Sequence, residues 1–271
     1  GNWGPFAAAN YNMGWHSKGG HDRTFGTNAK AWDWCSVNNA GFEYYQNAKK
    51  AGIGLPPHNP RIWVFRHQSN ASCAPMLRRV WHPIGYSSNS GWSNFFINIT
   101  AGRLLTYTNT LLKFALPDIV IGTGGGYNTY DIYESVNHEL SHASHFNKVG
   151  SAFWAKYVNY IITYGKKYDH PYGDASCNNS GFCGVGEMWG YAMGYIRTYE
   201  KYQQKPKNGQ SKWFQPNLLY DLMTEKILTK KQIFDCLSSD VTSHALLKQK
   251  MISRYPSKKD SIIAKFSRYG F

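Results

Sequence analysis

Several things are scarce or absent in this 271-residue chain, and each absence narrows its reading. No apolar run approaches the roughly 20 residues that a membrane-spanning helix needs, so no such helix is expected. The opening "GNWGPFAAAN" has neither a basic start nor a long apolar stretch, and does not read as a signal peptide. No internal repeat and no low-complexity segment occurs, which sets aside repeat arrays and biased tracts. The five cysteines include no C-x-x-C pair, which argues against a zinc site built from cysteine. Acidic residues are few, 16 against 30 Lys and Arg, for a net charge of +14.

The positive excess raises the question of a nucleic-acid or other acidic partner. The basic residues are spread out, however. From residue 201 onward there are 14 Lys and Arg against 5 Asp and Glu, spaced along helical patterns such as "LLYDLMTEKILTKKQIFDCL". That spacing reads as solvated helix faces, so nucleic-acid binding is the weakest functional reading. Aromatic residues are abundant: 20 Tyr, 14 Phe and 10 Trp. They supply buried area and, where exposed, stack on peptides, sugars or bases. Together with the cysteines, this composition suits a secreted, cell-surface or periplasmic protein. "CNNSGFC" would close a short loop through Cys177 and Cys183, and Cys35–Cys73 is a weaker second pairing. Cys236 lies in an apolar helical pattern and reads as buried.

The order of elements predicts an α+β fold. Residues 1–60 read as irregular, with one helix near "NNAGFEYYQNAKKAG" that ends at Lys49, Lys50 and Gly52. Strands are expected at 60–67, 92–100 and 117–123, and a helix at 103–116. Helices dominate from Tyr130 on, at about 131–147, 151–164, 184–203, 216–227, 229–238 and 241–253. A long loop is expected over 164–184. No linker separates the halves, so residues 1–271 form one domain: a small mixed-sheet α/β lobe over about 1–130 and a helical lobe over about 131–271.

The chemistry concentrates in "VNHELSHASHF". His138, Glu139 and His142 form H-E-x-x-H. At about 100° per residue, the two histidines lie one turn apart on one helix face, where two imidazoles can share a tetrahedral ion. Glu139 stands beside them, where a base takes a proton from metal-activated water. Ile132, Val136, Leu140 and Ala143 recur at helical spacing on the opposite face and give the helix an apolar back. Asp131 and Glu134 suggest a capping box at its start.

His145 shares the histidine face but lies roughly 10 Å along the axis from His138. It reads as a cap of the helix end or part of the cleft rim. The metzincin pattern would need Gly at 145 and His at 148; the chain has His145 and Lys148. A third ligand must therefore come from elsewhere. Glu187 in "GVGEMWGYAMGY" is the best placed, because Gly190 and Gly194 share its helical face and allow close approach to another backbone. Asp174 and His170 are the runners-up.

With "HELSH" at 138–142 and "GEMWGYAMG" at 186–194, the chain resembles zinc metallopeptidases of the gluzincin group over roughly residues 117–200. The resemblance implies a zincin-like fold, one zinc ion on His138, His142 and Glu187, and Glu139 as general base. It also implies that 117–123 is an edge strand beside the cleft, where Ile119, Val120 and Ile121 pair with a peptide substrate. Two departures stand out. Glu187 follows His142 by 45 positions, a long gap, and the group's Asp four residues after the ligand Glu is here Tyr191. Tyr191 is then a candidate donor to the oxyanion, with Tyr168, Tyr172 and His170 as alternatives. A competing reading is a non-catalytic, zinc-containing module that binds glycan or a cell-surface partner.

Overall fold

A computed structural model describes residues 24–66, 72–80, 117–168, 172–206 and 212–271. The strand expected at 92–100 and the helix expected at 103–116 lie outside these residues. The described part is mostly helical, with one small parallel sheet, and is compatible with an α+β class.

Helix α1 spans Lys30–Ala51. It starts earlier than expected, with Asp33 in its first turn, where a carboxylate favours the helix dipole. It stops at Gly52, whose φ of 68° is left-handed. Strand β1 (Ile62–Phe65) and strand β2 (Ile119–Gly122) pair in parallel, from Ile62 opposite Ile119 to Phe65 opposite Gly122. A four-residue helix, α2 (Leu77–Val80), lies between them in sequence.

β2 is not an open edge. Cys73 forms an antiparallel bridge to Val120 through two bonds, N–H to carbonyl at 2.9 and 2.8 Å, and the Gly122 amide donates to Ser72 Oγ at 3.2 Å. Ile119, Val120 and Ile121 are all buried. The expected pairing of a substrate with these three residues therefore meets a side already taken by residues 72–73. Just before the strand, buried Asp118 accepts from the Arg61 amide at 3.0 Å and pairs with Arg78 at 2.9 Å and Arg79 at 3.2 Å.

Helix α3 runs over Thr129–Tyr168 and bends at Gly150, where φ is 82° and ψ 175°. The two helices expected at 131–147 and 151–164 are thus its two arms. Its capping box is formed by Asn128 and Asp131, each side chain accepting from the other's amide at 3.1 Å, one turn before the expected pair. Ile132, Val136, Leu140 and Ala143 form the buried back as expected. The histidine face is buried too, because helix α4 (Ser180–Tyr202) lies against it. α4 starts four residues earlier than expected, and the long loop is correspondingly shorter. Glycine-rich "SGFCG" looks like a breaker, but a Cβ on Gly181 would come within 1.9 Å of the Thr242 carbonyl, so the helix docks there only because that position is glycine.

The remaining helices are α5 (Asn217–Thr224), α6 (Lys230–Cys236), α7 (His244–Arg254) and α8 (Lys259–Arg268). α5 packs on α4, and α8 on α7 and α5. All five cysteines are free thiols, so neither expected disulfide is formed; Cys236 is buried as expected.

His145 is corrected most sharply. It neither caps the helix nor lines a rim. It is fully buried against Phe153 and Trp154, and neither ring nitrogen has a hydrogen-bond partner. Burial, then His142 and Lys148, push its pKa down to about 3. The unfolded chain therefore takes up a proton near pH 6.5 that the folded protein refuses until about pH 3. Stability from this group is complete above pH 6.5 and falls as the pH drops through that window, by up to about 1.4 kcal/mol per unit. We expect His145→Met to flatten this slope in urea unfolding between pH 4 and pH 6.5; an unchanged slope would contradict the assignment.

Candidate metal centre

α3 and α4 are held close along one stripe of small side chains. A Cβ on Gly190 would lie 2.7 Å from His142 Cε1 and Nε2 and 3.1 Å from His138 Nε2. One on Gly194 would lie 3.2 Å from the Glu134 carbonyl. Trp189 Nε1 donates to the Ser141 carbonyl at 3.2 Å and pins the two helices together. The packing role expected for the two glycines is thus present in the fold.

This approach brings three side chains to one point. His138 Nε2 and His142 Nε2 are 2.8 Å apart. Glu187 Oε2 lies 3.5 Å from the first and 3.6 Å from the second. Glu139 Oε1 is 3.8 Å from His138 Nε2. His138, Glu139 and His142 form a buried group that could hold a metal ion. Glu187 is the nearer carboxylate to both imidazoles, and its Oε2 has no hydrogen-bond partner.

The donor set fits a cation. Two imidazole nitrogens facing each other can share a single proton, but a proton leaves a third, carboxylate oxygen unused. Ligand atoms around a tetrahedral ion with bonds of about 2.1 Å sit roughly 3.4 Å apart, close to the separations found here. Burial, reinforced by neighbouring His142, drives the His138 pKa down to about 4 and keeps the ring neutral, the form that ligates metal. For Glu187, burial works to raise the carboxyl, but the two imidazoles outweigh it and hold it well below the usual range. Glu139 goes the other way: burial, and then the charge of Glu187, push it well above the ordinary carboxylate value.

Tyr157 is the residue that sequence reasoning missed. Its hydroxyl donates to Glu187 Oε1, leaving Oε2 for the imidazoles. No pattern in the sequence marks it among 20 tyrosines. Only the bend at Gly150 returns the second arm of α3 to α4, where Gly186 makes room for the Tyr157 ring. Tyr157 thus braces the Glu187 carboxylate on the side away from the imidazoles.

Tyr191 itself lies edge-on to His138, with ring centroids 4.3 Å apart. Its hydroxyl is hydrogen-bonded to that of Tyr172 at 2.8 Å. Among the runners-up, Asp174 turns its carboxylate to the Ser176 amide and hydroxyl, and His170 and the Tyr168 side chain lie outside the described residues. No family model matches the chain, and no curated protein or solved structure is significantly similar to it.

Two substitutions probe this geometry. Gly190→Ala gains about 1 kcal/mol of helix propensity at an ordinary exposed site. Here it should instead prise the imidazoles apart and abolish stoichiometric binding of a divalent metal, read by calorimetric titration. Tyr157→Phe keeps the ring and loses only the hydroxyl, and should weaken metal binding by about 10- to 100-fold. Equal affinity in wild type and Tyr157→Phe would show that the hydroxyl does not tune the ligand.

Proposed function

We propose that the chain is a zinc-dependent peptidase with a zincin-like domain of the gluzincin kind. The observation that carries this reading is the meeting of His138 Nε2, His142 Nε2 and Glu187 Oε2, mutually within 3.6 Å, with a fourth buried group, Glu139, beside them. Two imidazoles and one carboxylate are a donor set that suits zinc and leaves room for a further ligand.

When bound, zinc supplies a Lewis acid that activates water and polarises a carbonyl. The chain's own residues do the rest. His138, His142 and Glu187 hold the ion, and Tyr157 fixes the Glu187 carboxylate. Glu139 Oε2 is buried with no hydrogen-bond partner and takes the proton of the attacking water, then passes it to the leaving amine. The Tyr172–Tyr191 hydroxyl pair beside His138 can turn one O–H toward the charge that develops on the attacked oxygen. A metal-holding site needs no second, non-ligating carboxylate, and the opposite pKa shifts of Glu139 and Glu187 suit a base and a ligand. This favours catalysis over a non-catalytic, zinc-containing binding module. A structured, extended peptide would have to displace residues 72–73 to pair with β2.

Elemental analysis and a peptide-library digest test the reading together. Wild type should carry one zinc per chain and cleave peptides. Glu139→Gln should keep its zinc and lose about 10²- to 10⁴-fold in rate. Near-wild-type cleavage by Glu139→Gln would reject the mechanism, and zinc retention with no cleavage by wild type would favour the binding module.

A further inference from the structure

Beside the metal centre, α4 and the segment leading into α5 build an aromatic cluster around one ammonium group. Lys212 Nζ lies 4.7 Å from the centre of the Tyr172 ring and 4.6 Å from that of Tyr191. The Tyr191 ring is itself in edge contact with His138, so the ammonium is one ring away from a candidate ligand. Its placement is not loose. Trp213 Nε1 donates to the Tyr172 carbonyl at 3.0 Å. Phe214 is fully buried, stacked on Tyr191 at 5.8 Å and edge-on to Tyr172 at 5.4 Å. The neighbours on its C-terminal side thus anchor the backbone of Lys212.

Among the described residues the ammonium lacks the partner its position calls for. It is half-buried, and among the described residues no oxygen accepts a hydrogen bond from it and no carboxylate forms an ion pair with it. Other lysines of the same half are paired, Lys230 with Glu200, Lys265 with Glu225 and Lys250 with Asp240. Two ring faces offset part of the cost of partial burial, since a cation over an aromatic face gains about 0.5–2 kcal/mol. They do not supply a counter-charge. Burial accordingly lowers the Lys212 pKa, opposed only by the field of Glu187.

The geometry points to Lys212 as an anion-binding group of this centre, which selects substrates bearing a carboxylate close to the bond that is cleaved. The shared chemistry is a carboxylate, from an Asp or Glu side chain or from a free peptide C-terminus. An ion pair formed here would be partly desolvated and held by a pre-positioned donor, so it would discriminate more than an exposed surface pair does. The substrate assignment rests on the peptidase reading above; the binding assignment does not.

The test separates the two. Zinc-loaded Glu139→Gln protein serves as a non-cleaving background and is incubated with two matched sets of hexapeptides. The first set is C-terminally amidated and carries Asp or Glu against Asn or Gln at its central positions. The second has neutral side chains and a free C-terminal carboxylate against an amide. Retained peptides are measured by mass spectrometry after equilibrium dialysis. We expect one acidic set to bind at least about tenfold better than its neutral counterpart, as a charge-assisted hydrogen bond provides. The set that does so names the source of the carboxylate. Adding Lys212→Met should erase the preference, and Lys212→Arg should restore most of it. Equal binding of acidic and neutral peptides, or a preference that survives Lys212→Met at an unchanged thermal midpoint, overturns the proposal. Should Lys212→Met fail to fold, loss of the preference at 0.5 M salt with Lys212 intact supports it and persistence counts against it. Acidic peptides that bind but remain uncut by wild type would overturn the peptidase reading while leaving the anion site standing.

Discussion

The close approach of α3 and α4 at Gly190 sets everything around it. No side chain larger than a hydrogen fits there, because a Cβ would press on both imidazoles at once. With that space left empty, Glu187, one turn earlier on α4, reaches His138 and His142, and Tyr191, the next residue along, covers His138. The same packing strips water from two histidines and two carboxylates. Burying such groups is costly unless they are paired or hold a metal, and the opposite shifts of Glu139 and Glu187 are the electrostatic consequence.

The surroundings keep that arrangement from relaxing. α3 is tied on several sides by hydrogen bonds from residues distant in sequence. Tyr44 of α1 bonds Ser144 at 2.8 Å, and Trp154 donates to the Ala74 carbonyl at 3.0 Å. Asp118, gripped by Arg78, Arg79 and the Arg61 amide, anchors the entry to β2. The bridge from Cys73 to Val120 then fastens the outer side of the strand. The Cys73 thiol is raised well above its ordinary pKa by burial, and next by the charges of Glu139 and Glu187, which places this bridge within the field of those two buried carboxylates. A rigid frame of this kind holds the imidazoles and carboxylates of a group that could hold a metal ion in fixed positions.

Local chemistry and long-range packing divide differently among the elements. The amphipathic period of 132–143, the break between helical stretches 131–147 and 151–164, which falls at Gly150, and the cap at Gly52 each follow from near neighbours in the chain, and each is found where the pattern places it. The start of α4 is not, because "SGFCG" is a poor helix by propensity and forms one only where Thr242, His244 and Trp213 pack on its glycines. His145 likewise shares the histidine face, where a cap or rim position is expected, but enters the core, since the bend at Gly150 folds Phe153 and Trp154 back over it.

By itself the sequence determined the helix bearing His138, Glu139 and His142, its apolar back, and the small-residue stripe beside Glu187, because these depend on spacing within a few turns. Tertiary structure alone decided that Tyr157 would orient Glu187, that residues 72–73 would occupy the side of β2, and that Lys212 would stand between two tyrosine rings. Those contacts join residues 21 to 50 positions apart. They are set by where whole helices come to rest, which no local period encodes.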